Sequence, residues 1–381
     1  MSIKNLPTEL ILLIASLLPC ESSLAALALS NRHLYEICNP CLYQYNVLHG
    51  NSSALDWAVE NDRIDILQKT LDAGAPLPTD QPKDRSHPIE LAAEKGHTNI
   101  VRYMIDRGVS PDIVISAMSV AAFHGHASVV AYLLQAGARP WIKNRVGEPP
   151  MYYAASQGHT DAVELLLSAP KECEDNPAKE EMMIYSLFAA MAHGHKEIAQ
   201  ILVNATAGLY RTRALADAVK WWKKELVVML LRSGAPTQFC RSEVPSLPDD
   251  SPSNGEKWVQ PLLLAVRSGN LELAQLLLEH GADANVECFA PAYGEIDRRF
   301  DRVLFWAVEK SDWKIVNLLV EHGADPEITD LFGRPPISYA VYGKCEAIIR
   351  LLLDHGANPY QAVDQSGRKL DRDTAMKCRI L

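Results

Sequence analysis

One short string recurs along this chain of 381 residues, and it restricts the fold more than anything else in the sequence. It reads LLLEHGADANV at 276–286, LLVEHGADPEI at 318–328 and LLLDHGANPYQ at 351–361. Looser copies are YMIDRGVSP at 103–111, YLLQAGARP at 132–140 and MLLRSGAP at 229–236. A chain built from one repeated unit forms no single large core. Each unit packs on its neighbours, so the array grows without the size limit of a globule and presents an extended surface.

Each copy sits in the same context. The glycines of the string lie 34 residues apart from Gly74 to Gly108 and 33 apart from Gly323 to Gly356. Before each glycine runs an apolar stretch such as ELAQLLLEH (272–280), whose leucines fall at i, i+3 and i+4 and mark one buried helix face. The glycine after His280 or His322 is the expected left-handed helix terminator. Further upstream lies a shorter stretch rich in small residues, such as IELAAEKG (89–96) and MYYAASQG (151–158), where alanine pairs permit close helix approach. Pro88, Pro150, Pro261 and Pro336 stand at its start, where a missing N–H costs nothing. Gly-His pairs at 96–97, 125–126, 158–159 and 194–195 separate the two helices. The expected fold is all-α, a solenoid of stacked helix pairs.

A helix, tight turn, antiparallel helix and protruding turn at a period near 33 resemble the ankyrin repeat, and HPIELAAEKGHTNIVRYMIDRGVSP (87–111) lies close to that family's consensus. About nine units begin near Ser53, His87, Ala117, Pro149, Tyr185, Arg213, Gln260, Arg302 and Pro335. The array spans residues 50–376, and 364–376 read as a partial, capping unit. The fifth and sixth units are degenerate, with Trp222 in place of the inter-helix glycine of the sixth. Insertions at 171–181, 238–257 and 285–301 break the period and read as loops.

Residues 1–48 do not fit the repeat. Pro7 opens a helix, with Leu10, Leu13, Ile14, Leu17 and Leu18 along one side, and Pro19 ends it. A second helix is expected from Ser22 or Ser23 through Leu24, Leu27 and Leu34. Lys4 ahead of LILLIASLL has the look of a secretory signal, but Pro7 and Glu9 occupy its basic region and the helical spacing continues beyond it. The segment resembles an F-box on Leu6, Pro7, Glu9, Leu10, Ile14, Leu17, Leu24, Leu27, Arg32, His33 and Leu34, although the family's usual tryptophan is missing. That resemblance implies docking onto a Skp-type adaptor, and so a cullin–RING ubiquitin ligase, through Leu6, Pro7, Leu10, Ile14 and Leu17. An F-box followed by ankyrin repeats is a layout found in filamentous fungi. The alternative is a plain helical cap over the first apolar face of the array, in a scaffold with no ubiquitin role.

The net charge of −10 argues against a nucleic-acid partner. Eight scattered cysteines form no disulfide framework and suit a reducing compartment, cytoplasmic or nuclear. No apolar run approaches the roughly 18 residues of a membrane span. His124-Gly125-His126 and His193-Gly194-His195 recur at inter-helix turns, where histidine is structural, and Cys38-x-x-Cys41 is an isolated pair. No phosphate loop, dinucleotide fingerprint or nucleophile elbow is present, so neither catalysis nor a cofactor is expected. Function should rest on protein binding by a chain that is monomeric outside its complex. The candidate contacts are the ends of the first helices: Phe123, His124, Gln157, His193, Trp221, Arg267 and Tyr342. Trp57, Tyr153 and Trp306 sit one position deeper and are expected in the core.

Overall fold

The computed structural model describes residues 6–18, 20–50, 52–76, 87–144, 146–169, 177–240, 259–287, 302–363 and 368–369. Two compact units divide the chain, Met1–Leu202 and Val203–Leu381. Both are all-helical among the described residues, apart from isolated bridges joining Glu287 to Arg302 and Val363 to Lys369.

The first unit opens with α1 (Thr8–Ser16), α2 (Glu21–Leu29) and α3 (Arg32–His49). The leucine spacing predicts a single helix where the last two stand. They separate because Asn31 is an N-cap whose Oδ1 accepts from the Leu34 N–H at 2.9 Å. Helix α3 then runs through Pro40 to His49. Helix pairs follow: α4 (Ser53–Glu60) with α5 (Ile64–Asp72), α6 (Pro88–Lys95) with α7 (Thr98–Asp106), α8 (Pro111–His124) with α9 (Ala127–Gln135), α10 (Pro150–Gln157) with α11 (Thr160–Ser168), and α12 (Pro177–Ala192) with α13 (Lys196–Ala205). Residues 177–181, expected in a loop, begin α12; the rest of that insertion, most of the other two and nearly all of the C-terminal partial repeat lie outside the described residues.

In the second unit α14 (Gly208–Lys220) pairs with α15 (Lys224–Arg232), α16 (Pro261–Arg267) with α17 (Leu271–Glu279), α18 (Val303–Glu309) with α19 (Trp313–Glu321), and α20 (Pro336–Tyr342) with α21 (Glu346–Asp354). Within each unit the first helices of successive pairs pack in one layer and the second helices in another, as α6 on α8 with α7 on α9, and α16 on α18 with α17 on α19.

One joint is repeated in every pair. The second residue before the second helix takes a left-handed conformation, and the next N–H bonds back to an alanine carbonyl five residues earlier. These bonds run from Arg63 to Ala58, His97 to Ala92, His126 to Ala121, His159 to Ala154, His195 to Ala190, Lys223 to Ala218, Asn270 to Ala265, Asp312 to Ala307 and Cys345 to Ala340, at 2.8–3.2 Å. They occupy carbonyls that a helix end otherwise leaves without partners. The alanines are fully buried or nearly so, which is why the position stays small in every copy. Pro88, Pro150, Pro261 and Pro336 are each the first residue of their helix.

The three N-terminal helices have their own core of Ile11, Ala15, Leu24, Ala28, Leu34 and Cys38. Helix α3 leans on α4 and α5. Asn46 stitches the joint: its Nδ2 donates to Glu21 Oε1 at 3.3 Å and to Ser53 Oγ at 3.0 Å, while its Oδ1 accepts from the Ala54 N–H at 3.0 Å.

Candidate protein-binding surfaces

In the first unit Phe123 and His124 close α8, Gln157 closes α10, and His193 follows α12; all four side chains are exposed. Phe123 meets Tyr153 edge to face at 6.1 Å and His124 at 5.0 Å. Half-buried Tyr153 accepts a hydrogen bond from Asn144 Nδ2 at 3.1 Å, and burial raises its phenol pKa. His193 is held by its Nδ1 to the Ala189 carbonyl at 2.9 Å and stacks on His195 at 6.5 Å, as His124 stacks on His126 at 6.3 Å.

The histidine after each of these inter-helix glycines belongs to the scaffold. His126 Nε2 bonds the Glu94 carbonyl at 2.7 Å, His159 the Phe123 carbonyl at 2.9 Å, and His195 the Ser156 carbonyl at 3.2 Å. Each imidazole therefore reaches from one pair to the last turn of the preceding first helix. The ring lies against the inter-helix glycine of that preceding pair. A Cβ on Gly96 would stand 2.7 Å from His126 Nδ1, one on Gly125 2.4 Å from His159 Nδ1, and one on Gly158 2.6 Å from His195 Cε1. Glycine answers two demands there, a positive φ and room for the next imidazole.

Trp221 in the second unit is 64% exposed at the end of α14, beside Trp222 at 61%. Arg267 is half-buried with its guanidinium 5.4 Å from the ring centre of Trp306, which is buried as expected. Tyr342 departs from the expected exposed anchor: it is half-buried, and its hydroxyl donates to the Val363 carbonyl. Trp57 departs the other way. Expected in the core, it is 48% exposed on α4.

The N-terminal residues divide unevenly. Leu6 and Ile14 are half-buried, Leu6 against the core, while Pro7, Leu10 and Leu17 are exposed, Leu17 to 74%. The inward stripe of α1 is Ile11 and Ala15, so Leu10, Leu13 and Leu17 form an outward apolar stripe. Between α3 and α5 a groove of about 440 Å³ is lined by Tyr35, Tyr43, Lys69 and Asp72 among others. Cys20 precedes α2, and hydrogen bonds with Ser22 and Ser23 lower its thiol pKa to about 7. Burial pushes Cys38 and Cys41 the other way.

A family model of ankyrin repeats matches residues 55–144, 89–179, 117–211 and 292–363, and a single-repeat model matches 260–288. The chain belongs to the ankyrin-repeat family. Its ankyrin repeats support a role in protein–protein interaction. No F-box domain is detected. Among curated proteins, the chain is 25% identical over 250 residues to the ankyrin repeat and KH domain-containing protein mask-1 of Caenorhabditis elegans, covering 62% of this chain and 8% of that protein. It is 28% identical over 155 residues to the probable E3 ubiquitin-protein ligase XBOS32 of Oryza sativa subsp. japonica, covering 35% of this chain and 31% of that protein. The chain thus spans less than a third of either relative's length. No helix among the described residues is long and apolar enough to cross a membrane.

Two turns of the ankyrin repeats carry display residues that the sequence reading missed. Asn144 Oδ1 accepts from the Val146 and Glu148 N–H groups, and Asp330 Oδ1 accepts from those of Phe332 and Arg334. These bonds shape tight turns whose exposed tips are Val146 in the first unit and Leu331-Phe332 in the second. Asp330 also accepts from the Tyr339 hydroxyl at 2.5 Å; burial, then that carboxylate, lifts the phenol pKa to about 12. The available signal was an Asx residue two or four positions before a backbone N–H in KNRVGEPP (143–150) and TDLFGRPP (329–336).

Proposed function

We propose that this chain is the substrate-recruiting subunit of a Skp–cullin–F-box ubiquitin ligase. Residues 1–48 are the docking module, and 50–376 are an array of about nine ankyrin repeats with a partial capping repeat, which holds a protein target. The chain carries no catalytic step or cofactor; it is monomeric outside the complex and works in the cytoplasm or nucleus.

The observation that carries this reading is the outward stripe of α1. Leu10, Leu13 and Leu17 are exposed while the helix is fixed from behind by Ile11 and Ala15. An apolar stripe of this kind on a supported helix is suited to docking in a partner's groove. The similarity to a probable E3 ubiquitin-protein ligase of rice, over 35% of this chain, lends further support.

Co-purification of the full chain with a Skp-type adaptor tests the proposal. The Leu10→Asp, Leu17→Asp double variant should fold normally and lose the adaptor. Retention of the adaptor by that variant, or no association of the unmodified chain, would overturn it.

A second reading has an observation of its own. Helix α3 packs on α4 and α5, and Asn46 bonds to Ser53 and Ala54, as in a helical cap on a scaffold without a ubiquitin role. A cap needs α3 and has no use for leucines on the outer side of α1, so the same double variant separates the two readings.

A further inference from the structure

Nine left-handed positions join the described helix pairs, and eight of them hold no aromatic ring: five glycines with Asp62, Ser311 and Lys344. The ninth is Trp222, at φ 56°. A bulky side chain is an outlier in that region and strains the backbone. The turn itself needs only main-chain groups, through the bonds of the Trp222 N–H to Val219 and the Lys223 N–H to Ala218. Nor does burial compensate, because Trp222 and Trp221 are both largely exposed. The pair therefore contributes little to the fold of the second unit.

The setting of the pair indicates its ligand. Residues 220–224 read KWWKK, three lysines in five positions of a chain whose net charge is −10. Acidic side chains border the patch: Glu225 follows it directly, and Glu272 pairs with Lys224. Those carboxylates disfavour a broad anionic surface such as a membrane, which touches many groups at once, more than a single extended segment.

We propose that the Trp221–Trp222 turn docks an extended acidic segment of a partner protein, with a carboxylate facing Lys223 and an apolar side chain laid on the indole rings. Exposed tryptophans are the residue type that most often dominates interface energy, and indole N–H groups can donate to the carboxylates or carbonyls of the segment. The flanking lysines raise the encounter rate with a negative segment and disfavour a positive one. This inference rests on reading the repeats as protein-binding, and it is independent of any role for the N-terminal helices.

The test uses the full chain and a fluorescein-labelled peptide in which Asp and Glu surround a central Leu, followed by fluorescence anisotropy. Binding should weaken as salt rises from about 50 to about 500 mM. Trp222→Gly and Lys223→Glu should each weaken it by roughly tenfold, the scale of an interface hot spot. Trp222→Gly should meanwhile leave Tm unchanged or raise it, since glycine accepts a positive φ without strain. Tyr185→Ala, an exposed ring of the first unit outside the candidate contacts, should bind the peptide as the unmodified chain does; loss there would show that the peptide takes exposed rings in general and would overturn the assignment to this turn. The assignment also fails if an Asn/Gln version of the peptide binds equally well, if both second-unit variants retain binding, or if phosphatidylserine vesicles capture the chain and the peptide does not. A lowered Tm for Trp222→Gly would show that the ring serves the fold and would likewise overturn it.

Discussion

Leucine does opposite things in two parts of the first unit. In the repeat helices Leu67, Leu133 and Leu166 are fully buried, each on the second helix of its pair. In the N-terminal helices Leu10, Leu13, Leu17, Leu29 and Leu48 face outward, although their core is also apolar. The difference lies in supply and demand for neighbours. A repeat helix is covered on several sides, by its own partner and by the adjacent pairs, so its whole apolar stripe is enclosed. Helices α1 and α2 pack mainly on α3, and only part of their apolar surface is covered. The leucines of these repeat helices are thus enclosed, whereas at the N-terminus Leu24 and Leu34 fill the core and these five stay outside it.

Paired substitutions test that contrast most strongly. Leu277→Ala, in the fully buried face of α17, should cost about 2–5 kcal/mol of stability by denaturant unfolding. Leu17→Ala should change it by less than about 0.5 kcal/mol. Similar losses at the two sites would show that the outward stripe of α1 is packed in solution and would remove the contrast.

A smaller effect sharpens the account of the joints. Gly125→Ala must accept φ +74° and displace His159, and should cost roughly 1–3 kcal/mol. Gly281→Ala meets the same dihedral penalty at φ +85° with no atom within 4 Å of the added carbon. The difference between the two thermal midpoints measures the imidazole ladder alone. Equal midpoints would mean that His159 yields freely and that the ladder contributes nothing.

The smallest expected effect is chemical and leaves the fold untouched. The thiolate is the reactive form of cysteine, and the serine hydroxyls around Cys20 hold its pKa near 7. Alkylation by iodoacetamide at pH 7 should therefore reach Cys20 before Cys38 or Cys41, and the Cys20 rate should rise with pH through about 7 and then level off. Mass spectrometry of the labelled chain reads the order. Labelling of Cys38 first would show that the N-terminal helices open readily and are not the supported block described above.

Much of the architecture was legible because the repeat is a local code. The alanine of each first helix, the left-handed residue after it and the leucine spacing of the second helix lie within one period, so no distant contact is needed to read them. The sites were less legible. Trp57 and Trp306 each stand directly before the alanine of their joint, Ala58 and Ala307, and look alike in sequence, yet Trp57 stands half in water and Trp306 is buried. Which of two similar rings is covered depends on what the neighbouring pair and the following turn place beside it. The outward leucines of α1 illustrate the same limit, since helical spacing shows that a face is apolar and does not show which face is occupied.

The sequence by itself determined the all-α class, the ankyrin period, the prolines that open the first helices and the glycines that close the second. These follow from backbone dihedral preferences and from short-range helix packing, both carried by adjacent residues. Only the tertiary structure decided that inter-helix glycines make room for the next imidazole and that a tryptophan takes a left-handed turn without being buried. Those outcomes depend on side chains about 30 residues apart meeting in space, or on the burial each pair gives its neighbours, and a one-dimensional pattern carries neither.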